Sequence, residues 1–157
     1  CDIHVVPAAR AAWPPQPPRC RRPSPETMPT IADFHMISKL GEGGFGTVML
    51  VRRKSTGSLY ALKLLEKRAM TKRGIASRVI SESEALQQIR HPFIVTMHHA
   101  FQDAERVYFV LEHVAGGDLF NFLQEHSRFP EAWCQIYLAE MAMALDWVHR
   151  HRFVYRD

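Results

Sequence analysis

The sequence predicts an α+β fold in two parts: a five-stranded antiparallel lobe with one long helix, followed by a lobe of helices alone. Three observations carry this. Short β-type runs separated by glycine or polar turns fill residues 35–65 and 96–112. A single segment between them, residues 67–90, has its apolar residues at helical spacing. Beyond Gly116-Gly117 only helical patterns remain. The order, strands and one helix and then helices alone, separates two differently built lobes that meet near residues 112–117.

The first thirty of the 157 residues hold eight of the ten prolines and none of the eight glycines. Pro14-Pro15-Gln16-Pro17-Pro18 fixes φ repeatedly and removes backbone donors, which favours polyproline II over helix or sheet. Residues 1–30 therefore read as a disordered, proline-rich leader. His35 to Leu40 is the first strand, and Thr47 to Arg53 is the second. The polar Lys54-Ser55-Thr56-Gly57 turn leads into a third, Ser58 to Leu65. Ile75, Val79, Leu86 and Ile89 define one helix from Lys67 to Arg90, ended at His91-Pro92 because a residue before proline is biased away from the helical region. Thr96 to Phe101 and Arg106 to Glu112 are strands four and five, joined by a polar turn. Helices follow from Asp118, a plausible N-cap, to Glu125, and from Pro130, suited to a first helical position, to His149. The last helix carries more apolar residues, from Trp133 to Val148, than one short neighbour can cover, which predicts exposed apolar patches. The boundaries are a leader at 1–30, a strand-rich lobe at 31–112, a connection at 113–117 and a helical lobe at 118–157, which the resemblance given below makes a small lobe, a hinge and a partial large lobe.

Composition excludes several classes. At 46% hydrophobic and 23% charged, the chain is unlike a disordered or collagenous one. A formal charge of +4 is ordinary solubility charge, and nucleic acid is not an expected partner. The most apolar stretch, from Trp133 to Val148, is interrupted by Glu140 and Asp146, so no membrane span is expected. Cys1, Cys20 and Cys134 have no metal-ligand spacing, and their pattern fits a reduced, cytoplasmic setting. His98-His99 and His149-Arg150-His151 lack converging acidic or thiol ligands and read as polar surface, so no metal site is expected within the chain.

Gly41-Glu42-Gly43-Gly44-Phe45-Gly46 satisfies G-x-G-x-x-G, a weak signal alone. In a dinucleotide-binding unit these glycines open a helix. Here the following Thr47-Val48-Met49-Leu50-Val51 is apolar and β-branched, so the loop joins two strands and an oxidoreductase reading fails. The alternative is a glycine flap over a triphosphate, in which missing side chains let backbone amides approach phosphate oxygens. That reading requires a lysine on the next strand, and Lys63 stands there between Leu62 and Leu64. A lysine in so apolar a strand needs an anionic partner to be buried. Of the helix residues Glu82 and Glu84, Glu82 shares the inward stripe with Val79 and Leu86, so it is the expected partner.

These residues together resemble the protein kinase family, and within it the AGC group of serine/threonine kinases, which includes the cyclic-nucleotide-dependent kinases. The resemblance runs from Phe34 to Asp157. It identifies Leu40, Gly41, Glu42, Gly43, Gly44, Phe45, Gly46, Thr47 and Val48 with the glycine loop over ATP. Ala61 and Lys63 match the ATP-positioning lysine motif, with Glu82 as the pairing glutamate. Leu111 stands at the gatekeeper position, Glu112-His113-Val114 at the adenine hinge, and Tyr155-Arg156-Asp157 at the start of the catalytic loop. The resemblance implies that Val48 and Ala61 sandwich adenine, Lys63 binds the α- and β-phosphates, and Asp118 accepts ribose hydroxyls and a basic residue of the peptide. Asp157 would orient the substrate hydroxyl and accept its proton. ATP and magnesium are the implied cofactors, the metal ligands lying downstream of Asp157. A protein with basic residues near its target Ser or Thr is the implied substrate. On this reading the chain carries the first half of a catalytic domain and is inactive alone. The other class considered is a non-catalytic, kinase-like module that binds nucleotide or partners.

Overall fold

A computed structural model describes residues 28–43, 46–74, 76–77, 79, 83, 86–87 and 89–154. The proline-rich leader thus lies almost wholly outside the described residues. After a short 3-10 turn at Ile31–Asp33 come β1 (Phe34–Gly43), β2 (Gly46–Arg53) and β3 (Leu59–Glu66). Helix α1 (Lys67–Lys72) follows, then β4 (Met97–Gln102), β5 (Arg106–Glu112), α2 (Leu119–His126) and α3 (Glu131–Arg150). The five strands form one antiparallel sheet in the order β1-β2-β3-β5-β4. The expected strands are all present, each end within a few residues of its expected place.

The sheet is apolar on both faces because β3, at its centre, alternates between two cores. Leu62 joins Phe34, Val51, Tyr108 and Val110 on the outer face, with Tyr60 and Leu64 packed beside them. Leu65 joins Met70, Val79, Met97 and Phe109 on the other face, where α1 and the helical residues Ala76 and Leu86 cover it. Burying one such side chain is worth about 1.5–3 kcal/mol, so these two layers are what hold the strands in register. A third cluster, Ile89, Ile94, Ala144 and Val148, attaches the C-terminal half of α3 to the segment before β4.

The single helix expected over Lys67 to Arg90 is not continuous, and this is a correction. Helix α1 ends at Lys72, and the described residues 76, 77, 79, 83, 86 and 87 are helical again after a turn. The break follows from Gly74, whose φ of +65° is left-handed. The Arg73 amide donates to the Ala69 carbonyl and the Gly74 amide to that of Thr71, closing α1 as glycine-terminated helices close. The stripe divides accordingly, Val79 packing under the sheet and Ile89 against α3. Pro130 also shifts by one position: it is the N-cap of α3, and its carbonyl accepts from the amides of Trp133 and Cys134. On α3, Tyr137, Ala144 and Val148 are buried while Trp133, Ile136, Leu138, Met143 and Trp147 are exposed, so the expected apolar patches are present.

The β4–β5 turn is organised by one carboxylate. The Asp103 Oδ1 accepts from the amides of Glu105 and Arg106, both at 2.8 Å, and Oδ2 accepts from the Tyr108 hydroxyl at 2.7 Å. The hydroxyl, and then the two amides, hold the Asp103 carboxyl below the usual carboxylate range. A depressed folded-state pKa contributes stability that is present above the unfolded value and is lost as pH falls through the folded one. Asp103→Asn is therefore expected to melt lower than the parent at neutral pH. The difference should shrink on acidification between about pH 5 and about pH 2, where the parent carboxyl also protonates; thermal unfolding of both proteins across that range measures it.

Candidate nucleotide site

Strand pairing decides which of the motif residues can act together. In an antiparallel ladder, residues directly opposite one another share a face. Val48 lies opposite Lys63, and Lys63 opposite Phe109. Ala61 lies opposite Leu111, and Gly41 opposite Val48. Gly41, Val48, Ala61, Lys63 and Leu111, drawn from four strands, thus occupy one face of the sheet. It is the face that carries Leu65 and Phe109.

That face changes character along its length. At Leu65 and Phe109 it is sealed by Met70 and Val79. At Val48, Ala61 and Leu111 the side chains are only half-buried. Lys63 sits at the boundary, itself half-buried, with its strand neighbours Leu62 and Leu65 almost fully enclosed. A half-open apolar shelf bounded by a cation suits a flat aromatic ring at one end and an anionic group at the other. Two of the three described glycines of the turn match this: a Cβ added at Gly41 or Gly43 would meet nothing within 4 Å, so the backbone there is open to approach, whereas Gly46 packs against the backbone of β3.

The remaining motif residues divide. The side chains of Glu42 and Thr47 belong to the outer face, opposite to Val48, so any contact they make with a ligand in this site is through the backbone. Glu42 is paired with Lys39 on the surface, which holds its carboxyl below the ordinary range. Leu40 is 49% exposed at the edge of the sheet. Gly44, Phe45, Glu82 and Asp157 lie outside the described residues. An outer-face cavity of about 480 Å³, lined by Met36, Thr47, Met49, Leu64 and Arg106, is separated from Lys63 by the sheet itself. That cavity also takes in Glu42, Gly43 and Gly46 of the glycine turn, but the shelf is the better candidate because only it brings Lys63 and the half-open Val48, Ala61 and Leu111 to one face.

Beyond β5 the chain turns out of the sheet. The Glu112 amide donates to the Thr96 carbonyl at 2.9 Å, and the Thr96 amide donates to the Glu112 Oε2 at 3.3 Å, which ties the end of β5 to the approach of β4. His113 and Val114 are half-buried, and Gly116-Gly117 makes the turn into α2. Asp118 is the N-cap of α2, as its residue type predicts: its Oδ1 accepts from the Asn121 amide at 2.7 Å. Two features escaped the sequence reading. Phe109 abuts Lys63 across the ladder, which only the register of β5 reveals. Asn121 also reaches the Asp118 carboxylate with its side-chain amide, a contact that the Asp-x-x-Asn spacing at a helix start could have suggested.

Among the described residues, no three His, Cys, Asp or Glu side chains are grouped to hold a metal ion. No helix among them is long and apolar enough to cross a membrane.

The chain is similar to known proteins over most of its length. The family model for the protein kinase domain matches residues 34–157. The human serine/threonine-protein kinase Sgk2 is 41% identical over 135 residues, covering 85% of this chain and 36% of that protein. The sgk-1 kinase of Caenorhabditis elegans is 40% identical over 136 residues, covering 86% of this chain and 29% of its own length. A RAC family serine/threonine-protein kinase homolog of Dictyostelium discoideum is 39% identical over 127 residues, covering 81% and 29%. The chain thus spans about a third of the length of these relatives. A domain model over nearly all residues beyond the leader, and AGC-group relatives near 40% identity over more than four-fifths of its length, establish that the chain belongs to the protein kinase family.

Proposed function

We propose that this chain is the ATP-binding portion of a serine/threonine protein kinase, which transfers the γ-phosphoryl group of ATP to Ser or Thr hydroxyls of a protein. The observation that carries it is the register that brings Gly41, Val48, Ala61, Lys63 and Leu111 to one half-open face. On this reading residues 31–112 are the small lobe, 113–117 the hinge and 118–157 the opening of the large lobe.

The roles follow from the chemistry of the shelf. Val48 and Ala61 enclose adenine between apolar surfaces, Leu111 limits the depth of the pocket, and the backbone of Glu112 to Val114 meets the adenine edge. The Lys63 ammonium takes the α- and β-phosphates, each an anionic target for a cation at the edge of an apolar face. Glu82 holds Lys63 in place, Asp118 accepts ribose hydroxyls, and Asp157 orients the substrate hydroxyl and takes its proton. Magnesium, when bound, neutralises phosphate charge. The positioning of reactants rather than covalent chemistry supplies most of the rate. Acidic Asp118 beside the hinge supports a preference for substrates with basic residues, and the cysteine pattern supports a cytoplasmic setting.

Titration of the full chain with ATP, with and without magnesium, tests the proposal. Saturable binding that ATP and ADP share, and that guanine nucleotides do not match, is expected. Absence of adenine-nucleotide binding under both conditions would remove it.

A further inference from the structure

We infer that Asn121 is a positioning residue for Asp118: its side-chain amide fixes the carboxylate so that its remaining acceptor sites can take the ribose hydroxyls of the nucleotide. The inference rests on the nucleotide reading above and adds to it a residue that neither the motifs nor the family match assigns.

The geometry is that of a clasp. One residue engages both oxygens of the carboxylate. The Asn121 backbone amide donates to the Asp118 Oδ1 at 2.7 Å, and the Asn121 Nδ2 donates to Oδ2 at 3.0 Å. The first bond is the ordinary N-cap contact of α2, which a helix needs whatever its function. The second is not required for capping. In the usual capping box the third helical residue is Glu or Gln and accepts from the N-cap backbone. Here the third helical residue is a donor aimed at the N-cap side chain instead.

An ionised carboxylate has about four acceptor sites on its two oxygens. The clasp uses one site on each oxygen and leaves one on each. With only the cap bond, the carboxyl group could turn about its terminal torsion, which is broad and two-fold for Asp. Both residues are exposed, so water competes for every site that is not held. A second, fixed donor on Oδ2 removes that rotational freedom before a ligand arrives, and pre-ordering of this kind raises affinity without adding a contact to the ligand. Asp118 follows the Gly116-Gly117 turn directly, so the clasp acts where the chain leaves the hinge.

The test compares ADP with 2′-deoxy-ADP and 3′-deoxy-ADP on the full chain by calorimetry, without magnesium. Ribose discrimination, the ratio of affinities, is the readout, because it cancels changes in phosphate or adenine binding. The parent should discriminate by about three- to tenfold, as one charge-assisted hydrogen bond does. Asn121→Ala should cut the ratio by about threefold. Asn121→Asp keeps the shape but replaces the donor with a like charge, so it should abolish discrimination. It should not lower the melting temperature by more than Asn121→Ala does, because a carboxylate in the first turn suits the helix dipole. A merely structural Asn121 predicts the ratio to follow stability, with Asn121→Asp the milder change. If the parent discriminates and both variants discriminate equally well, the inference is wrong and the nucleotide reading stands. If the parent binds ADP without discriminating, Asp118 does not meet the ribose and the inference falls with that role. If the parent binds no ADP, the nucleotide reading itself has failed.

Discussion

Gly46→Ala is expected to destabilise the chain by about 3 kcal/mol, at the upper end of single-substitution effects. A Cβ at this position would fall inside the contact distance of the Leu64 carbonyl oxygen and would press on the Leu65 side chain as well. The obstacle is backbone, in the strand that pairs with β2, so no rotamer change relieves it. The φ of +156° adds to the cost, because it lies in a region that residues with a Cβ avoid. Gly43→Ala is the matched control: an added Cβ there meets nothing within 4 Å. Thermal unfolding of the pair should place Gly46→Ala about 8–12 °C below the parent, on the usual conversion for a domain of this size. Gly43→Ala should lie within about 2 °C of the parent. Equal melting temperatures for the two variants would show that the β2–β3 approach at Gly46 is looser than described.

Lys63→Met is expected to separate binding from folding. Lys63 lies in the ladder between Val48 and Phe109, its two apolar register neighbours. Methionine keeps an unbranched apolar stem and removes the charge, so affinities are compared at a temperature where both proteins are folded. Nucleotide affinity should fall at least tenfold, about 1.4 kcal/mol, because a charge-assisted contact to phosphate is lost. The loss should be greatest for ATP, smaller for ADP and absent for adenosine, which has no phosphate. An equal loss for adenosine would mean that the substitution had disturbed the apolar shelf and that Lys63 does not address phosphate.

The sheet was legible in the sequence because its signal is local: alternation and turn residues located all five strands, and the side-chain type of Asp118 located a helix start. The helix over residues 67–90 misled because apolar spacing alone cannot distinguish one helix from two in line, and Gly74, which closes α1, leaves that spacing unbroken. The gathering of Gly41, Val48, Ala61, Lys63 and Leu111 is a long-range property. It depends on the pairing of β3 with both β2 and β5, which no local window contains. The same register separates Thr47 and Glu42 from the shelf, although they belong to the same motif as Gly41 and Val48. The roles of Glu82 and Asp157 still rest on the sequence resemblance.

The central claim is that adenine nucleotide binds on the Lys63 face of the sheet and not in the outer-face cavity. Amide chemical-shift mapping of the full chain during an ATP titration tests it most directly. Shifts are expected at Gly41, Val48, Ala61, Lys63 and Leu111 to Val114, with Met36, Met49 and Arg106 unaffected. Shifts concentrated at Met36, Met49, Leu64 and Arg106, with the Lys63 face silent, would contradict it.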